Sequence, residues 1–299
     1  MNKKVLSKKV MISLLTMSCV YLGGTSVLPM AEAVIVDGQD VADGTKLNFP
    51  DNHTINKNLN DGAGIRLQPG ENITINADGN LNILGNGKKI KEGYYITYVY
   101  AGANLDFTGK NIFFSGSTAD GDCVNGILAN GNTTGSTINF KNDYTKLTCT
   151  STDLDANDNH AAIYCVAAGV VNFDHAVDIY GSATNNKVVG IKIAGQNSLF
   201  HAKDRVSIET AGGNTDNGNL GIMIQDKSSA LFEGGLSVKV SGDTGSNCGI
   251  MVSTGGSIEM KDSLTINVSG TNARAGLQVQ REGSTAKIKG VADISFATG

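Results

Sequence analysis

Residues able to do chemistry are few in this chain, and they do not gather. Asn214-Thr215-Asp216 could supply one carboxylate for glycoside hydrolysis, but that reaction needs an acid and a base about 5–9.5 Å apart. No Asp-Asp pair occurs anywhere in the chain. His53, His160, His175 and His201 stand far apart, and none is flanked by glycines. None enters a Ser/His/Asp set or a His-Glu-x-x-His motif. Asp153-Leu154-Asp155-Ala156-Asn157 opens like a calcium loop, yet Asp158 stands where the loop needs glycine and Tyr164 where it needs glutamate. Gly85-Asn86-Gly87 opens no helix, which removes the phosphate-loop reading. The expectation is a protein without a catalytic, cofactor-binding or metal site, and without a cofactor.

Polar turns must be held by something, and here the holding elements show as an internal repeat. A small residue followed by an alternating apolar tripeptide recurs as Gly64-Ile65-Arg66-Leu67, Gly126-Ile127-Leu128-Ala129, Ala162-Ile163-Tyr164-Cys165 and Gly190-Ile191-Lys192-Ile193. It continues as Gly221-Ile222-Met223-Ile224, Gly249-Ile250-Met251-Val252 and Gly276-Leu277-Gln278-Val279, with Thr97-Tyr98-Val99-Tyr100 filling the early gap. From residue 126 the steps are 36, 28, 31, 28 and 27 residues. Glycine at the head of the tripeptide suits a sharp corner, because it accepts positive φ.

Two further columns follow. Phe107, Phe140, Phe173, Phe200, Phe232, Met260 and Ile288 form one; Phe113, Ile179, Val206, Val238, Ile266 and Ile294 lie six residues beyond. After Phe140 the interval is seven, to Leu147, which points to a one-residue bulge. Strand alternation explains the columns: Leu236-Ser237-Val238-Lys239-Val240 sends three apolar side chains to one face. A coil of ~28 residues cannot bury that face alone, so like must stack on like at ~4.8 Å. No segment keeps the i, i+3, i+4 pattern of a helix. The sequence therefore predicts an all-β, right-handed single-stranded parallel β-helix of about eight coils, three short strands each.

Three regions divide the chain. Residues 1–33 read as a signal peptide: Lys3, Lys4, Lys8 and Lys9, an apolar run over 10–22, then Ala31-Glu32-Ala33 ahead of Val34. Cys19 lacks the leucine three residues upstream that lipidation would require. Residues 34–63 fit the columns poorly and read as an N-terminal cap; 64–299 is the β-helix proper, ending without a closing cap or barrel. Without residues 1–33, four lysines and one glutamate fewer, 20 basic and 27 acidic residues remain, a formal charge of −7. That charge, with no Lys/Arg cluster, argues against nucleic acid as a partner. Cys123, Cys149, Cys165 and Cys248 read as small buried residues, with one bond among the first three as the alternative.

An export segment followed directly by Gly/Asn-rich coils carrying these Gly-Ile-x-[Val/Ile] and Phe ladders resembles the passenger region of bacterial autotransporters. The resemblance implies a secreted or surface-displayed scaffold, adhesin-like and without catalysis, facing a host surface or matrix glycan or protein. It also implies an outer-membrane barrel. Residues up to Gly299 contain no ~10-residue alternating amphipathic segments of that kind, leaving either a barrel encoded downstream or export without one. The alternative on the same fold is a polysaccharide lyase or glycoside hydrolase; Asn214-Thr215-Asp216 resembles the first acidic motif of polygalacturonase-like enzymes. Outward carboxylates beside Lys or Arg along one ladder would mark that alternative. Function is expected in projecting turns, at 116–123, 212–219 and above all 151–160.

Overall fold

The computed structural model describes residues 34–36, 39–58, 64–87, 94–118, 124–132, 134–151, 160–184, 187–212, 218–242 and 246–297. The signal segment, Cys19, Cys123, the calcium-like stretch 153–158, Asn214-Thr215-Asp216 and the turn residues 152–159 lie outside them.

The chain is a right-handed parallel β-helix. Each coil lays one strand on each of three faces. The first coil uses Lys46–Phe49, His53–Asn58 and Ile65–Leu67 for the first, second and third faces. The eighth uses Ser257–Met260, Leu264–Ser269 and Ala273–Gln280, and Thr285–Ile288 with Ala292–Ala297 adds a further rung to two faces. All these rungs pair in parallel with the coils before and after. The exception is Val34–Val36, antiparallel to both Gln39–Val41 and Ile65–Leu67, which lies along the first edge of the third face. Stacking already begins at Lys46, inside the stretch 34–63, because Leu47 and Ile55 stand in register with Ile75 and Ile83.

Inside the first face the column runs Ile75, Phe107, Phe140, Phe173, Ala202, Phe232, Met260 and Ile288. The sequence placed Phe200 in this column, and the register corrects it. Phe200 pairs with Val171 and Ala230, one inward position earlier, and Ala202 takes the column site. The rings still meet. Phe173 and Phe200 lie 5.7 Å apart by centroid, and Phe200 and Phe232 5.4 Å, both tilted. Phe140 and Phe173, in true register, stack flat at 4.3 Å. Bulk has moved sideways within one coil, and Phe200 and Ala202 are both fully buried.

The second-face column is Ile83, Phe114, Leu147, Ile179, Ile208, Val238, Ile266 and Ile294. Phe113 and Val206 are not in it. Phe113 points outward opposite Lys146, and Val206 begins its strand opposite Val177 and Leu236. Counted from the corrected residues, the first-to-second interval is eight, seven and seven in the early coils and six from Phe173 onward. The extra residues sit at the corner, where the ladder shifts register between Ala77 and Asn80.

On the third face the tripeptides stack as read, except that Thr97 pairs with Ile65 and Ile127. The matching unit is therefore Ile96-Thr97-Tyr98-Val99, one residue earlier than its alternation suggests. Thr97 is fully buried in an isoleucine column. The heading glycines also need a different explanation. Gly190, Gly221, Gly249 and Gly276 do not have positive φ. A Cβ on them would overlap a γ-methyl of Ile208, Val238, Ile266 or Ile294 respectively, each from the following coil. Left-handed backbone occurs instead at the other end of the third-face strand, at Gly70, Gly102, Gly135, Gly195, Gly255 and Gly283.

Candidate binding cleft on the second face

Turns of variable length all leave from one corner, between the second and third faces. They follow Thr118, Ser151, Ala183, Gly212, Ser241 and Ser269 and rejoin at Val124, His160, Val188, Leu220, Asn247 and Ala273. Two buried asparagines fix this corner. Asn219 Nδ2 donates to the carbonyls of Gly212 and Ser241, at 2.8 and 3.0 Å, and its Oδ1 accepts from Val188 N–H. Asn247 repeats the arrangement one coil later, donating to Gly242 and Ser269 and accepting from Asn219 N–H at 2.9 Å. Each amide satisfies backbone groups that would otherwise be buried unpaired, at a cost of about 1–3 kcal/mol per group. Both turn ends of 212–219 are pinned in this way; its tip, 213–217, and the tip of 151–160 lie outside the described residues.

The organised site among the described residues is on the strands rather than the turns. Inward packing of Leu147, Ile179 and Ile208 sends their neighbours outward. Lys146, Asp178 and Ser207 line up on successive coils, as do Thr148, Tyr180, Glu209 and Lys239. Lys146, Thr148, Asp178, Tyr180, Ser207 and Glu209 line an open cleft of about 350 Å³. On its rim Tyr144 Oη donates to Asp178 Oδ2 at 2.6 Å, while Arg205 Nη1 donates to Asp178 Oδ1 at 2.7 Å. Lys239 Nζ lies 2.8 Å from Glu209 Oε1.

This wiring sets the protonation states. Partial burial would raise the Asp178 pKa, but the bonds from Arg205 and Tyr144 outweigh it and hold the carboxyl below its usual range. Burial, and then the bond to Asp178, pushes Tyr144 up to about 12. At neutral pH the rim is thus a carboxylate with both oxygens engaged, beside a phenol that keeps its proton. A general acid must instead hold a proton near neutrality and be free to give it. Asp178 and Tyr144, held in this way, do not meet that requirement.

The other residues of interest are dispersed. His53 is on the second face of the first coil, His160 on the third face and His175 in a turn after the first face. His201 projects from the first face, 2.7 Å from Glu233. Cys149, Cys165 and Cys248 are buried free thiols, and burial raises Cys149 to about 12 and Cys248 to about 11. Among the described residues no three of His, Cys, Asp and Glu come together to hold a metal ion. Along the first-to-second corner, Lys141–Asp106, Lys203–Asp174 and Lys261–Glu233 bridge successive coils at 2.6–3.2 Å. Such exposed pairs contribute about 0–1 kcal/mol each.

The cleft escaped the sequence because of register. With Val206 aligned to Ile179, Tyr180 falls opposite Ser207. The true pairing, Ile179 with Ile208, brings Tyr180 opposite Glu209. The constant interval of six, counted from Ala202 instead of Phe200, would have found it. The chain matches no protein-family model, no curated protein and no solved structure.

Proposed function

We propose that this chain is an exported β-helical binding scaffold, adhesin-like, that holds a hydroxyl-rich ligand in the second-face cleft without transforming it. The ligand class is a glycan of a host surface or matrix. The observation that carries the reading is the Tyr144–Asp178–Arg205 network, which fixes donors and an ionised acceptor in one place. Preorganised polar groups on rigid strands lose little entropy on binding, which favours recognition. The export segment and the solenoid are together consistent with the passenger region of an autotransporter, displayed at the cell surface or released.

The alternative reading has its own support. Lys146 stands in register with Asp178 and Lys239 with Glu209, and Arg205 bonds Asp178, so outward carboxylates and cations do stand side by side on the second face. A lyase or hydrolase would use this same cleft. One experiment separates the readings. The full chain is expressed in a secreting host, its N-terminus sequenced, and the product tested on a glycan array and for chain cleavage of pectin. The expected result is Val34 as first residue, glycan retention reduced by Asp178→Asn and Tyr180→Ala, and no cleavage. Pectin cleavage lost in Asp178→Asn would replace the scaffold with the enzyme.

A further inference from the structure

Ion pairs on and beside the second face run one way. In Lys141–Asp106, Lys203–Asp174, Arg205–Asp178 and Lys239–Glu209 the cation stands on the coil after its carboxylate, at 2.6–2.8 Å. Lys146 breaks this pattern. On the coil before it the register offers Phe113, and residues 111–118 of that coil include no aspartate or glutamate. On the coil after it stands Asp178, whose two oxygens are already bonded by Arg205 and Tyr144. Lys146 acts on Asp178 through space, but among the described residues it has no ion pair or hydrogen bond. The same is true of the hydroxyls of Thr148, Tyr180 and Ser207, which line the cleft with it. The cleft's two carboxylates are thus each held by a cation of their own. What it leaves unspent is one ammonium, which can only donate, and three hydroxyls.

We propose that the ligand of this cleft is a glycan with a single carboxylate, one acidic sugar among neutral ones, bound through that carboxylate to Lys146. The inference rests on the binding reading of the cleft given above and names its ligand. A lone exposed ammonium is commonplace on a protein surface; this one lines a cleft of about 350 Å³ together with three unbonded hydroxyls. A carboxylate can accept from an ammonium and a hydroxyl at once, and Thr148 stands two residues along the same strand on the same outward side. Tyr180, in register with Thr148 on the next coil, gives a ring for the C–H face of the adjoining sugar. Glu209 lends Oε1 to Lys239 and keeps Oε2 for a sugar hydroxyl. From Lys146 to Glu209 is two coil steps and two residues, roughly 12 Å on the diagonal, which suits a short oligosaccharide. Asp178 and Glu209 limit the charge. A polymer with an anion on every unit brings its second one against them.

The test is titration calorimetry of the full exported chain with sialyllactose and a glucuronosyl disaccharide, each as free acid and as methyl ester. Esterification keeps every hydroxyl and removes the charge; the two acids separate a sialic from a uronic source. At least one acid is expected to bind about tenfold or more tightly than its ester, and less tightly as salt is raised. Lys146→Gln should bring that acid down to the affinity of its ester, and Lys146→Arg should retain the preference. Trigalacturonate, charged on every unit, should bind less tightly than the singly charged acid. Melting curves establish that the variants are folded, and the comparison of acid with ester on the unaltered chain depends on no variant. An ester bound as tightly as its acid, a folded Lys146→Gln that keeps the preference, or trigalacturonate bound as tightly as the single acids overturns the proposal. If glycan retention still falls in Asp178→Asn and Tyr180→Ala, the cleft remains the binding site with a neutral ligand. If no sugar is retained in either form, both readings fall.

Discussion

Along the first face the interior is filled with rings, whereas along the third it is shaped by the absence of side chains. Phe107, Phe140, Phe173 and Phe232 share one column, and at one coil the ring moves to Phe200 while Ala202 takes the column site. Gly190, Gly221, Gly249 and Gly276 leave room on the third face for γ-methyls from the second. A volume can be redistributed between two neighbouring positions if their sum is kept. A missing Cβ cannot be redistributed, since the space it leaves is bounded by the next coil's backbone as well as by a side chain. The first face is therefore tolerant in register, and the third is strict.

Substitution can break this contrast. Phe232→Ala, which removes a ring at 0% exposure between two coils, should cost about 3–5 kcal/mol in denaturant unfolding. A loss below 1 kcal/mol, on the order of a surface change, would mean the rings do not fill the core. Gly221→Ala adds a single methyl against Val238 and the Gly249 carbonyl and should cost about 1–3 kcal/mol. A neutral result there would remove the strictness assigned to the third face. The double exchange Phe200→Ala with Ala202→Phe restores the ring to the common column. It should cost less than ~1.5 kcal/mol, as a volume-conserving swap, although Phe200→Ala alone should cost about 3–5. If the exchange costs as much as the single change, sideways movement of bulk is not tolerated.

The smallest effect is on the outside, and pH reveals it. Tyr144, held up to about 12, should titrate later than an ordinary phenol near 10. Because the folded value is the higher one, its contribution to stability is complete below pH ~10 and is lost as pH rises through about 12. Tyrosinate absorbance should show late titration, to which Tyr98 and Tyr164 also contribute through burial; only the Tyr144 part should move toward lower pH in Asp178→Asn, without full restoration, since burial remains. An unchanged titration in that variant would show that Asp178 does not hold the phenol.

Much of this architecture can be read from the order of residues. Alternation in Leu236-Ser237-Val238-Lys239-Val240 names the inward positions, and the recurring Gly-Ile-x-Ile unit names the third face. Both are local signals, because strand geometry repeats every two residues whatever lies beyond. Phe200 and Val206 mark where that reading ends. Each is large, apolar and buried, at nearly the right interval, and composition cannot tell a column residue from its neighbour two positions away. Hydrogen bonding between coils decides it, pairing Ile179 with Ile208 and thereby setting Tyr180 opposite Glu209. The sequence by itself determined the fold class, the three-face repeat and most of the core. Tertiary structure alone decided which outward side chains meet, and with them the cleft, because contacts between residues some 30 apart depend on the register of whole coils.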